Sequence, residues 1–174
     1  MRKIPNNELD RKTIEEFKSV KKIPLIIILD NVRSLNNIGS VFRTADAFLV
    51  EAIYLCGITA IPPHKDIHKT ALGATESVSW KYFTNTKEAV EKLINDGYYI
   101  ISVEQVESSI SLVDMLIDKN KKYAIIFGNE VKGIEQKIVD ISDAYIEIPQ
   151  YGTKHSLNIS VCAGIVIYDI FRKL

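Results

Sequence analysis

The sequence predicts an α/β fold: a parallel sheet flanked by helices. Three observations carry that prediction. Short apolar runs of strand length alternate with segments whose apolar residues recur at helical spacing. The run Leu25 to Leu29 is apolar without interruption, as in strands covered on both faces. Polar, glycine-bearing stretches fall just after several of these runs, where open parallel sheets hold their ligands.

The elements follow in order along the chain. Residues 7 to 22 read as a helix, with Leu9, Ile14 and Phe17 apolar and Pro24 ending it. Leu25 to Leu29 is the first strand, and the loop Asp30 to Asn37 leads into a helix carrying Ile38, Val41, Phe42, Ala45 and Phe48. Ala52 to Cys56 is a strand, Ile61-Pro62-Pro63 a break, and Lys65 to Leu72 a short helix ended by Gly73. Val78 to Phe83 is a strand, and Lys87 to Asn95 a helix capped by Gly97. Tyr98 to Val103 is a strand and Leu112 to Ile117 a short helix. Tyr123 to Phe127 is a strand, Ile134 to Val139 a helix and Ala144 to Ile148 a strand. A long helix from about Ser156 to Arg172 closes the chain. The strand-end rule then points to the loops after Leu29, Val103, Phe127 and Ile148.

The bulk properties bound the function. The 174 residues suit one domain with a real core, and 47% apolar with 25% charged residues is the balance of a soluble globular protein. No apolar run approaches the ~20 residues of a membrane span. The start Met1-Arg2-Lys3-Ile4-Pro5 lacks the apolar core of a signal peptide, so a cytoplasmic location is the expectation. Cys56 and Cys162 form no CxxC pair and read as buried reduced thiols. Twenty-two basic residues balance 22 acidic ones, which argues against a free-standing nucleic-acid binder. Local basic groups do occur: Arg2-Lys3, Arg11-Lys12, Lys18 with Lys21-Lys22, His64 to Lys69, and Lys154-His155.

Three segments could carry chemistry. The first runs from Asn36 to Phe48. Asn37 can cap the helix start with its side-chain oxygen, and Arg43 lies six residues on, loosely on the same side. A charge among Val41, Phe42, Thr44 and Ala45 needs a partner. That partner is either Asp46 on the same helix or a bound phosphate or carboxylate gripped by the guanidinium fork. The second segment, Ile125 to Ile134, is a strand, a loop bracketed by Gly128 and Gly133, and a helix start. It matches neither a Walker A loop nor GxGxxG, and the missing GxGxxG after Leu29 counts against a doubly wound dehydrogenase. Glu130 there reads either as a hydrogen-bond acceptor for a ligand or as an acid placed by a helix dipole. The third segment, Ile146 to Val161, holds Ser156 as a helix N-cap, with Asn158 in the first turn needing its own explanation. Ser160, Ala163 and Gly164 let that helix approach a loop, a ligand or a second subunit closely. His64 and His68 stand at a zinc-compatible spacing without a third ligand, so no metal is expected.

Together these segments resemble the three motifs of the SpoU (TrmH) branch of the SPOUT methyltransferases. Asn37 to Ala47 is similar to Asn-x-Gly/Ser-x-x-x-Arg-Thr-x-Asp-Ala, and Phe127 to Gly133 to Phe-Gly-x-Glu-x-x-Gly. Ile148-Pro149 and Ser156 to Ala163 are similar to Ile-Pro followed by Ser-Leu-Asn-x-Ser-x-Ala, and Ala71 to Ala74 resembles a loop between the first two motifs. The resemblance spans about residues 25 to 172. It divides the chain into an N-terminal helical extension, 1–24, and a SPOUT methyltransferase domain, 25–174.

The resemblance implies a C-terminal deep trefoil knot, S-adenosylmethionine as methyl donor, a homodimer with shared active sites, and transfer to a ribose 2′-hydroxyl of tRNA or rRNA. Arg43 is then the catalytic residue, with Asn37 and Asn158 orienting it or the ribose, and Glu130 and Ser156 shaping the site by hydrogen bonds. Val103, Phe127, Gly128, Ile148, Ser156 and Leu157 would line the cofactor pocket. Substrate choice would rest on the basic N-terminal segment, on His64 to Lys69 and on the loop Gln150 to His155. The competing expectation from another class is an RNA-binding module with an unused cofactor site, which cofactor affinity would distinguish.

Overall fold

A strand with no polar side chain has to be covered on both sides, and the sheet is built accordingly. The computed structural model describes residues 1–174, the side chain of Asn6 excepted. The strands are β1 (Ile23–Asp30), β2 (Val50–Cys56), β3 (Ser79–Phe83), β4 (Tyr98–Val103), β5 (Ile110–Ser111), β6 (Lys122–Phe127) and β7 (Ala144–Glu147). The helices are α1 (Ile14–Ser19), α2 (Leu35–Ala47), α3 (Lys65–Ala71), α4 (Ala74–Ser77), α5 (Thr86–Asn95), α6 (Gln136–Val139) and α7 (Ile159–Lys173). All seven strands form one sheet in the order β3-β2-β1-β6-β4-β7-β5, and every pair is parallel.

Alternate side chains of β1 feed two separate cores, as the period of two requires. Leu25, Ile27 and Leu29 pack with Ile38 and Phe42 of α2 and Val166 and Ile170 of α7. Ile26 and Ile28 face the other way, with Val90 and Leu93 of α5 and Ile138 of α6. Pro24 is the second residue of β1 and lies where the pairing with β2 shifts register, so its missing N–H is tolerated.

The register sets the position of the loops. Phe127 pairs with Leu29 on one side and Val103 on the other, and Val103 pairs in turn with Ile146. The carboxyl ends of β1, β6, β4 and β7 are therefore nearly level, and their loops emerge together.

Four local expectations are corrected. The helix over 7 to 22 is instead a short 3-10 turn at Asn6–Glu8 and a six-residue α1. Thr13 starts α1 through a reciprocal capping box with Glu16, and the polar run Asp10 to Lys12 before it has no apolar face to bury. The helix over 112 to 117 is absent. Its backbone bonds elsewhere: Leu112 N–H donates to Glu147 C=O at 2.8 Å, and Lys173 Nζ donates to Leu112 C=O at 2.8 Å. The cap of α2 is Ser34 rather than Asn37, and the cap of α7 is Asn158 rather than Ser156. Each true cap leaves the expected residue free to face another segment. The helix α4 leaves no mark in the sequence, because four residues are too few for a periodicity to register.

Thr59 clamps the turns that carry the β1 loop. Its buried hydroxyl accepts from Val32 N–H at 2.9 Å and donates to Leu29 C=O at 3.0 Å. Thr59→Val keeps the shape and strands both backbone groups, so stability should fall by about 1–3 kcal/mol, read as a lower urea midpoint with an unchanged slope.

Candidate active site

Where the level strand ends release their loops, a cavity of about 500 Å3 opens, a size that encloses a small-molecule ligand. Val103, Phe127 and Ile146 form its apolar floor. Gly128, Asn129 and Glu130 rise on one side, and Ile148 with Ser156, Leu157 and Asn158 on the other. All six residues expected to line a cofactor pocket, Val103, Phe127, Gly128, Ile148, Ser156 and Leu157, border this one cavity.

The loop after β6 doubles back on itself. Asn129 and Gly133 exchange backbone hydrogen bonds of 3.1 and 2.9 Å. The Asn129 side-chain oxygen accepts from Val131 and Lys132 N–H, both at 3.0 Å, while its amide donates to Asn31 C=O at 2.8 Å. Gly128 is obligatory there, because a Cβ would run into the backbone of Gly133 and Ile134. Glu104, just beyond β4, accepts from Ile134 N–H at 2.9 Å and closes the loop from the far side. Neither Glu104 nor Asn129 was expected from the sequence. The signal available was the strand-end rule, which marked their loops and not the residues.

Glu130 reaches across to the start of α2. Its carboxylate accepts from the backbone N–H groups of Arg33 and Ser34, both at 3.2 Å. Burial pushes its carboxyl up, but its own backbone N–H, those of Arg33 and Ser34, and the Asn37 amide outweigh that and hold it below the ordinary carboxylate range. This is the dipole reading of Glu130 with a difference: the helix it serves is not its own. Asn158 completes the link, its amide donating to the Asn37 side-chain oxygen at 3.2 Å. Glu130 is thus bonded to the residues that open α2, and Asn37 of α2 is bonded to Asn158, so the three sequence segments meet at one rim.

The walls are acidic. Glu104, Glu130 and Glu147 line the cavity, and no Lys or Arg does so among the described residues. Cys162 also lines it, but burial first and the nearby Glu104 second push its thiol up to about 11. It is therefore a protonated, unreactive wall at neutral pH. An adenosyl sulfonium fits this chemistry, with an apolar floor for a ring and carboxylates for a cationic sulfur.

Arg43 stands apart from this group. It is exposed, and it borders a second cavity with the N-terminal segment instead of the first. The ion pair to Asp46 does not form among the described residues; Asp46 accepts from the Ser77 hydroxyl. The histidine pair is also accounted for on one side, since His64 caps α3 by accepting from Asp66 N–H at 3.2 Å.

The model of the SpoU rRNA Methylase family matches residues 24–168. A Staphylococcus saprophyticus protein assigned to the TrmH family of tRNA/rRNA methyltransferases is 31% identical over 160 residues, which is 92% of this chain and 63% of that protein. A Borreliella burgdorferi tRNA/rRNA methyltransferase is 32% identical, over 92% of this chain and 69% of its own length. The chain thus spans about two thirds of the length of such relatives. Among solved structures, the A. aeolicus TrmH/SpoU tRNA modifying enzyme superposes with a TM-score of 0.81 at 28% identity, covering 92% of this chain and 80% of that one. The AdoMet-bound rRNA methyltransferase from Sinorhizobium meliloti also gives a TM-score of 0.81, at 25% identity, covering 91% and 60%.

Two outcomes test the site. Gly128→Ala should abolish ligand binding in the first cavity, measured by calorimetry with S-adenosylmethionine, because the loop has no room for a methyl group. A carboxyl held below its ordinary value contributes stability that is complete above about pH 4.3 and is lost as the pH falls through the lowered value. Glu130→Gln should remove that acid-side loss, so urea midpoints of the two proteins should differ at pH 7 and converge towards pH 3.

Proposed function

This chain belongs to the SpoU rRNA methylase family, and from that premise we propose that it transfers a methyl group from S-adenosylmethionine to a ribose 2′-hydroxyl of tRNA or rRNA. The observation that carries the reading is that the second and third motif segments line one acid-walled cavity while the first is tied to its rim, Asn37 by Asn158 and the start of α2 by Glu130. S-adenosylmethionine supplies a methyl group on a sulfonium, a good electrophile. The residues must therefore bind it, and then deal with a hydroxyl that is a poor nucleophile at neutral pH. Glu104, Glu130 and Glu147 favour the sulfonium charge, Gly128 admits the ligand against the backbone, and Ile148 and Leu157 supply apolar contact.

Arg43 is the residue proposed to act on the RNA. A guanidinium with a pKa above ~12 cannot serve as a base; its work is to anchor a phosphate beside the 2′-oxygen and to stabilise charge forming there. Asn37 and Asn158 orient the ribose, and Ser156 adds a hydroxyl at the cavity rim. Because Arg43 does not border the cavity of its own chain, this division of labour requires a homodimer, in which Arg43 of one protomer serves the cavity of its partner. Supporting a dimer, α7 leaves Val161, Ile165 and Tyr168 exposed along one side, and a Cβ added at Gly164 would meet nothing in its own chain. The proposal extends to the trefoil knot, in keeping with β7 lying between β4 and β5 in the sheet, and to a cytoplasmic setting, where substrate RNA and methyl donor meet.

Tritiated methyl transfer from S-adenosylmethionine to tRNA and to rRNA lacking their own modifications, followed by nucleoside mass spectrometry, tests the reaction. A 2′-O-methylated nucleoside in one pool is expected, and base methylation or no incorporation in either pool contradicts the reading. Arg43→Ala should lower turnover by about 100-fold or more with cofactor affinity retained, and wild-type turnover in that variant would remove Arg43 from the mechanism. Light scattering at micromolar concentration should give twice the mass of one chain, and a monomer would contradict the shared site.

A further inference from the structure

The second cavity, about 490 Å3, lies between α2, the α3–α4 turn and the N-terminal segment. Arg43 borders it from α2, and Arg11 and Lys12 border it from the segment. That segment is fixed in place. Phe17 is buried in the core that also holds α2 and α7, and the Thr13–Glu16 capping box sets where α1 begins. Arg11 and Lys12 are the two residues immediately before the cap, so the fold presents both at the cavity mouth while leaving them exposed.

The charges of this cavity are unspent. Three cations, Arg11, Lys12 and Arg43, face two acids, Asp10 and Asp46, and Asp46 already accepts from the Ser77 hydroxyl. None of the three cations forms an ion pair among the described residues. Three unpaired cations around one concave surface attract a polyanion whose charges are spaced along a chain. Guanidinium forks suit phosphate oxygens in particular.

We propose that this cavity is a phosphodiester cradle, in which Arg11 and Lys12 hold the RNA backbone next to the phosphate gripped by Arg43. This rests on the reading that the substrate is RNA and that Arg43 binds its phosphate. Contacts of this kind position a strand without reading its bases. The cradle therefore sets affinity and salt dependence, and leaves the choice of nucleotide to other parts of the surface.

The test measures binding of unmodified, transcribed tRNA to the full chain across a range of salt concentrations. Arg11→Ala with Lys12→Ala should make the slope of log affinity against log salt shallower by about 1.4–1.8, two phosphate contacts' worth. The exchanged variant, Arg11→Lys with Lys12→Arg, should keep the wild-type slope. S-adenosylmethionine affinity should be the same in all three proteins. An unchanged slope in the alanine variant, while wild-type binding remains salt-dependent, overturns the cradle and leaves the RNA reading intact. An equal loss of tRNA and S-adenosylmethionine affinity makes the segment merely structural and also overturns the cradle. Wild-type protein that binds no tRNA at any salt concentration overturns the RNA reading itself, and the cradle with it.

Discussion

The carboxylate of Glu130, held by the backbone N–H groups of Arg33 and Ser34, is the contact on which the rest of the site depends. A helix begins with backbone donors that have no partner of their own. Here an acid almost a hundred residues away in sequence satisfies donors at the mouth of α2. That fixes α2 against the loop after β6, and α2 carries both Asn37 and Arg43. Displacing this carboxylate would loosen the cavity rim and the helix presenting the arginine together. Asn129 reinforces the tie through Asn31 C=O, and the Thr59 hydroxyl holds the same stretch of chain from below.

Electrostatics divides the surface into two regions. The cavity at the strand ends carries three glutamates and, among the described residues, no Lys or Arg, and the hollow beside Arg43 carries three cations against two acids. A net charge of zero hides this separation completely. A cationic small molecule and an anionic polymer would be attracted to different places, which suits a reaction that joins one to the other. The two thiols, Cys56 buried and Cys162 half-buried, stay out of it, since desolvation pushes Cys56 up to about 12 and Cys162 to about 11.

Legibility followed the length scale of each signal. β4 ran from Tyr98 to Val103 as expected, and the other long strands differed by a residue or two, because continuous apolar runs between polar breaks leave little choice. Helix starts were harder. Ser156 and Asn37 are both good capping residues, yet Asn158 and Ser34 do the capping, because polar side chains two or three positions apart compete for the same role and only packing selects one. Leu112 to Ile117 had apolar spacing suited to a helix and became turns, since β7 and Lys173 offered its backbone better partners.

By itself the sequence determined the parallel α/β class, the loops that carry chemistry and the six residues expected at the cofactor cavity, because these depend on local composition and on the order of segments. Only the tertiary structure decided that Glu130 bonds to the start of α2 and Asn158 to Asn37, that Glu104 and Asn129 close the loop, and that Arg43 borders a second cavity instead of the first. Those facts rest on strand order and register, which bring β6 beside β1 and level with it. Pairing across a hundred residues is set by the burial of whole faces, and no spacing along the chain records it.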